Sequence, residues 1–136
     1  MDIVFVNQVS KTARIPQVVI FDLSRRINKL FKRKTKQKTV SVVFVTATVS
    51  KKFNFKYRNK ARATNVLSFT SNEKEELGDI IICPQIAKKE AKSIGVGFGW
   101  WIGYLFVHGM LHLLGYDHQS TKEEQKMEAM AKKVLN

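Results

Sequence analysis

The chain has a single cysteine, Cys83, in 136 residues. It can therefore close no intramolecular disulfide and build no cysteine-rich zinc site, and the thiol reads as a small core residue beside a helix start in a reducing, cytoplasmic setting. No early segment reads as a signal peptide, because Met1 to Asn7 carries an acid at position 2 and too short an apolar run. Repeats, linkers and low-complexity stretches are also missing. A length of 136 residues suits one domain with a real core, spanning 1–136.

Acid is missing from a long stretch. Between Leu23 and Asn72 there is no Asp or Glu, while fourteen Lys and Arg fall in the same span. The rest of the chain carries ten basic and eleven acidic groups, so the net charge of +13 is concentrated in this one segment. A short basic run is usually a solvated face, but fifty residues without a compensating acid predict a large positive field and a polyanionic partner, nucleic acid or an anionic membrane surface.

A second stretch lacks charge of either sign. Ser93 to Tyr116 contains no Asp, Glu, Lys or Arg over 24 residues, long enough to span a bilayer. Four glycines in its first part make a poor helix start, and two histidines in its second part would be costly in hydrocarbon unless they ligate something. The expected helix, about Trp100 to Leu114, is short for a span and normal for a buried helix that is apolar all round. No membrane association is expected.

Histidine is absent everywhere except in one place. His108, His112 and His118 lie within the eleven residues His108-Gly109-Met110-Leu111-His112-Leu113-Leu114-Gly115-Tyr116-Asp117-His118. The first two, four apart, project from one face of a helix. Gly115 suits a left-handed C-cap, after which the chain can double back and present His118 to the same point. Three imidazoles and one open position describe a catalytic rather than a structural zinc site: one Zn²⁺ with three His ligands and a water. The spacing leaves nickel or another transition metal open. It is also that of a metzincin metalloprotease. The protease, however, needs Glu as general base at the second position, and this chain has Gly109.

The remaining pattern predicts an α+β fold: a mixed sheet of about four strands with helices packed over it, one of them the metzincin-like zinc-binding helix. Strands are expected at Ile3–Asn7, at Val40–Ala47 (nearly continuous in apolar residues, hence central and covered on both faces), at Asn65–Phe69 and at Asp79–Cys83. Pro16 opens a helix whose buried stripe is Val19, Leu23, Ile27, Leu30 and Phe31, and Pro84 opens another to about Ser93. A short helix is expected around Lys51–Tyr57. Ser120-Thr121-Lys122-Glu123 reads as a capping box before a last helix with Met127, Met130, Ala131 and Val134 inward.

With these segments in hand, the chain resembles the YbeY-type endoribonucleases, bacterial metal-dependent enzymes of ribosomal RNA maturation. The likeness rests on the histidine motif, on Tyr57-Arg58 through Thr64-Asn65-Val66-Leu67-Ser68-Phe69, and on Leu77-Gly78-Asp79-Ile80-Ile81-Ile82-Cys83, with order and spacing agreeing from about Val40 onward. The resemblance implies a zinc-dependent, single-strand-preferring endoribonuclease acting in ribosomal RNA maturation and ribosome quality control, with ribosomal RNA and the ribosome as partners. It implies that His108, His112 and His118 are the zinc ligands, His108 counting also as catalytic, and that Arg58 is the functional arginine near the metal. Arg58 and Arg62 are expected at the substrate. Asp117 is expected to orient a ligand histidine, and Asp79 to be a structural acceptor near a strand end. The chain departs from the family pattern at Ala63, where proline is usual, at Asn65, where Asp is common, and in the apolar, glycine-rich segment Gly97–Gly103. Two other functions compete: a non-catalytic RNA- or ribosome-binding factor with a structural metal, and a metalloprotease.

Overall fold

In the computed structural model, residues 1–9, 14–58 and 66–136 are described, the side chains of Tyr57 and Arg58 excepted. The elements run β1 (Asp2–Asn7), α1 (Gln17–Leu30), α2 (Lys32–Thr35), β2 (Thr39–Phe44), α3 (Ala47–Arg58), β3 (Val66–Thr70), β4 (Glu76–Ile82), α4 (Pro84–Ile94), α5 (Phe98–Leu113) and α6 (Thr121–Leu135). The strands form one sheet in the order β1-β2-β4-β3. β1 and β4 flank β2 in parallel, and β3 adds to β4 antiparallel, so the sheet is mixed as expected.

Strand alternation separates two apolar layers. Val40, Val42 and Phe44 of β2, with Ile80 and Ile82 of β4, point into the main core with α1, α5 and α6. Leu67 and Ile81 point the other way, into a smaller cluster with Val45, Cys83 and partly buried Val49 and Phe53 of α3. β2 is central, but it is not uniformly buried on both faces. Its face carrying Val43 is only partly covered, the described residues packed there being those of α3 with Phe69 and Ile86, and the strand ends at Phe44 instead of Ala47. Ala47 already opens α3, which is longer than the helix expected at Lys51–Tyr57.

α5 is the axis of the main core, with nine of its sixteen residues buried. It starts at Phe98, two residues earlier than the glycines suggested, and the reason is close packing on α1. A Cβ on Gly103 would stand 2.8 Å from the side chains of both Leu23 and Val19, so the absence of a side chain is what lets the two helices approach. The uncharged run thus folds as the end of α4 and the whole of α5, bent by 114° at their break. Among the described residues no single helix is long and apolar enough to cross a membrane. Near the end of the sequence the serine half of the capping box forms, with Ser120 Oγ accepting from the Glu123 amide at 3.1 Å, and Met127, Ala131 and Val134 are buried while Met130 is only partly so.

Candidate metal centre

The histidine helix ends as its sequence dictates. Gly115 takes φ +103°, a left-handed conformation that L side chains rarely adopt. The Gly115 amide donates to the His112 carbonyl at 3.1 Å and the Tyr116 amide to the Leu111 carbonyl at 2.9 Å, the paired bonds of a Schellman stop. Lys34, from the acid-free segment, donates its Nζ to the Leu114 carbonyl at 3.0 Å, a cation where the helix dipole favours one. The basic segment is therefore joined directly to the end of the histidine helix.

This turn returns the chain to α5. The rings of His112 and His118 lie 5.1 Å apart between centroids and 74° between planes. His112 Nδ1 is 3.1 Å from the Tyr116 carbonyl. A carbonyl oxygen only accepts, so Nδ1 carries a proton, and in the neutral ring this leaves Nε2 its lone pair. Asp117 does not reach a histidine ring through any described hydrogen bond. Its Oδ1 instead accepts from the backbone amide of His118 at 2.8 Å, which fixes the main chain that carries the third imidazole.

His108 sits one turn earlier and faces different neighbours. Its ring lies against Tyr104, with centroids 4.4 Å apart, and its Nε2 is buried with no hydrogen-bond partner. The nearest charge is Glu128 of α6, whose Oε1 is 3.5 Å from that nitrogen and also accepts from Tyr104 Oη at 3.4 Å. Burial pushes the His108 pKa below its ordinary value. Glu128 partly offsets this, and the proximity of His112 and His118 lowers it further. The imidazole is thus neutral at neutral pH, and its contact with Glu128 is not an ion pair there. The Tyr104 hydroxyl moves the other way, raised by burial and then by the Glu128 charge and hydrogen bond.

The expected convergence of three imidazoles is only partly realised. Among the described residues no three His, Cys, Asp or Glu side chains form a group able to hold one metal ion as they stand. The reason is local: His108 turns toward Tyr104 and Glu128, while His112 and His118 pair with each other. The donor chemistry nonetheless suits a metal. His108 offers a neutral, orphaned, buried nitrogen, and the His112 tautomer is fixed by a carbonyl, as in metal-binding histidines.

Arg58 closes α3 but its side chain lies outside the described residues, as does Arg62 altogether. Asp79 lies within β4, opposite Phe69 and exposed, not at a strand end. Tyr104, one helical turn before His108, was a local signal left unread, while Glu128 and Lys34 were not found by sequence reasoning, since their contacts cross 24 residues from Tyr104 to Glu128 and 80 from Lys34 to Leu114. No short-range pattern encodes such pairs.

Gly109 has a structural explanation. A Cβ there would stand 2.9 Å from Ile80 Cγ2, so the position faces the sheet and no glutamate fits where a metzincin carries its base. Gly109→Ala is expected to cost about 1–3 kcal/mol by overpacking against Ile80, measurable by urea denaturation. A variant as stable as the parent would mean that β4 yields freely at Ile80.

Fold and motif together define a class of small α+β proteins in which a helix bearing His-x₃-His is buried against a mixed sheet. Within that class the matches are specific. A family model described as Endoribonuclease YbeY matches residues 6–136. Curated relatives of that name include proteins from Bdellovibrio bacteriovorus, 36% identical over 79% of this chain and 71% of the relative, and from Ruthia magnifica, 36% identical over 85% and 83%. One from Staphylococcus carnosus is 40% identical over 71% of this chain and 70% of its own. A solution structure from Thermotoga maritima superposes with a TM-score of 0.67 at 27% identity, covering 98% of this chain and 86% of that one. The chain belongs to the YbeY endoribonuclease family.

Proposed function

We propose that this protein is a zinc-dependent endoribonuclease, one domain of 136 residues that prefers single-stranded RNA and acts in the cytoplasm on ribosomal RNA precursors, in maturation and ribosome quality control. The observation that carries the reading is the close approach of the His112 and His118 imidazoles across the Schellman turn, with a buried His108 Nε2 that has no hydrogen-bond partner one helical turn earlier. Two imidazoles bonded to one tetrahedral ion at about 2.0–2.1 Å hold their ring centres about 5 Å apart. The 5.1 Å between His112 and His118 agrees with that.

In this reading His108, His112 and His118 hold the metal. Three neutral ligands leave the ion its full charge, which brings the pKa of a bound water toward neutrality and so supplies a nucleophile for phosphodiester hydrolysis. The Tyr116 carbonyl keeps His112 in the ligating tautomer, and Asp117 holds the backbone of His118. Arg58 supplies the complementary charge: a guanidinium can hold two phosphoryl oxygens at once as negative charge builds on them. Arg62 contacts the substrate backbone beside it.

The alternative is a non-catalytic RNA-binding factor in which the basic segment does the work. Both readings share the basic segment, whose effect is separable. RNA affinity is expected to fall on the order of a hundredfold or more between low and moderate salt, because neutralising several phosphates releases their counterions. A filter-binding titration across salt concentrations checks this. A nearly flat dependence would return the fourteen cations of the segment to the role of a solvated face.

A further inference from the structure

We infer that the protein carries a second binding site, for a nucleoside monophosphate, in the crevice at the carboxyl ends of β1, β2 and β4. The site is separate from the metal centre and does not depend on the reaction proposed above.

The crevice follows from the path of the chain. β1 and β2 are adjacent and parallel. The chain leaving β1 enters α1, whose Ile20, Leu23 and Ile27 are buried in the main core on one face of the sheet. The chain leaving β2 enters α3, whose Val49 and Phe53 pack into the smaller cluster on the other face. Neighbouring parallel strands whose outgoing segments part to opposite faces leave a gap between them, and in open α/β sheets that gap is where ligands bind. A cavity of about 290 Å³ lies there. Val9 and Arg14 reach it from the segment after β1, Val45 and Thr46 from the segment after β2, and Lys88 from α4, the helix that follows β4. Phe98, the first residue of α5, completes the wall.

The lining specifies the occupant. Val9, Val45 and Phe98 make an apolar wall with one aromatic ring, and Arg14 and Lys88 bring two exposed cations to it. No acid is among the described residues around the cavity, and neither cation forms an ion pair among the described residues. A ligand with a planar base and an anionic group satisfies both halves. The base lies on Phe98, the Arg14 guanidinium holds two phosphate oxygens at once, and Lys88 adds a point charge. The Thr46 hydroxyl, able to donate or accept, is left for the sugar. The volume falls at the low end of the roughly 300–1,000 Å³ of small-molecule sites, which suits one nucleotide and not a dinucleotide. Phe98 and His108 stand ten residues apart on one helix, about 15 Å along its axis, so this is not the metal centre.

The test titrates AMP into the full chain by isothermal calorimetry. AMP is expected to bind about tenfold or more tighter than adenosine or inorganic phosphate, since each of these fills only half of the site. Replacing both cations, Arg14→Ala with Lys88→Ala, is expected to weaken AMP binding by about ten- to a hundredfold, the scale of lost charge-assisted hydrogen bonds. Both side chains are exposed, so the fold should survive. Lys29→Ala with Lys32→Ala removes the same charge from α1 and α2 and should leave AMP binding unchanged, as should His112→Ala. Competition then identifies the source of the nucleotide. A short oligoribonucleotide that displaces AMP only when it carries a 5′-phosphate makes the occupant an RNA terminus; displacement by neither form makes it a free nucleotide. No binding of AMP at millimolar concentration, or an equal loss in the two lysine-containing double variants, would overturn the inference. So would loss of AMP binding in His112→Ala with the Arg14 and Lys88 double variant unaffected, because AMP would then occupy the metal centre.

Discussion

Arg58→Ala is expected to slow RNA cleavage by about a hundred- to a thousandfold, the scale seen when a preorganised donor to developing charge is removed. Binding of the same RNA should weaken far less. Thirteen other cations remain in the acid-free segment, Lys51, Lys52 and Lys56 among them on the same helix. Zinc content should not change, since a guanidinium at neutral pH has no lone pair to donate to a metal. Single-turnover cleavage of a ribosomal RNA fragment beside a binding titration distinguishes the outcomes. Cleavage and binding falling in proportion would make Arg58 an anchor for the RNA backbone and nothing more. If neither falls, Arg58 has no part in the reaction.

The contrast matters because it separates an enzyme from a binding protein. A factor that only holds RNA uses its cations interchangeably, so the loss of one costs about one phosphate contact. An enzyme places one cation where charge develops, and the loss appears in rate.

How far the chain could be read in advance depended on whether the signal was local. The strand at β2 and the caps at Ser120 and Gly115 are each encoded within a few residues, and each formed, although β2 ends at Phe44 and alternates in burial where a run covered on both faces was expected. The start of α5 was misread because glycine carries two meanings. Gly99 and Gly103 resemble helix breakers, yet both face α1 and its entry: a Cβ would stand 3.8 Å from Pro16 and Val19 in one case and 2.8 Å from Leu23 and Val19 in the other. Tertiary packing there outweighs intrinsic propensity. The same holds for Gly109, read as a missing catalytic base and found to be a contact surface for Ile80.

At the site itself, the motif pointed to three converging imidazoles, of which His112 and His118 approach each other while His108 faces Tyr104 and Glu128. Glu128 reaches His108 only because α5 and α6 pack side by side in the main core, whereas Tyr104 lies against His108 by their four-residue spacing on α5, a local signal that sequence reasoning passed over. The order β1-β2-β4-β3 was likewise invisible, since the insertion of β4 between β2 and β3 is decided by pairing across the sheet and not by any single strand's pattern.

The account stands or falls on the metal. His112→Ala is expected to abolish stoichiometric zinc binding. It removes one of the three imidazoles, and with it the tautomer fixed by Tyr116 and the neighbour of His118. Two remaining imidazoles cannot hold zinc as three do. The fold should survive, because the His112 side chain is only half-buried and the Schellman turn that follows is built from backbone bonds. The decisive measurement is metal content by mass spectrometry on parent and His112→Ala proteins, alongside RNA cleavage by each after chelation and after reloading with zinc. The parent should carry about one zinc per chain, lose cleavage on chelation and regain it on reloading, while the variant carries none and cleaves in neither state. One tightly held zinc per chain in His112→Ala, or undiminished cleavage by the chelated parent, would contradict the account.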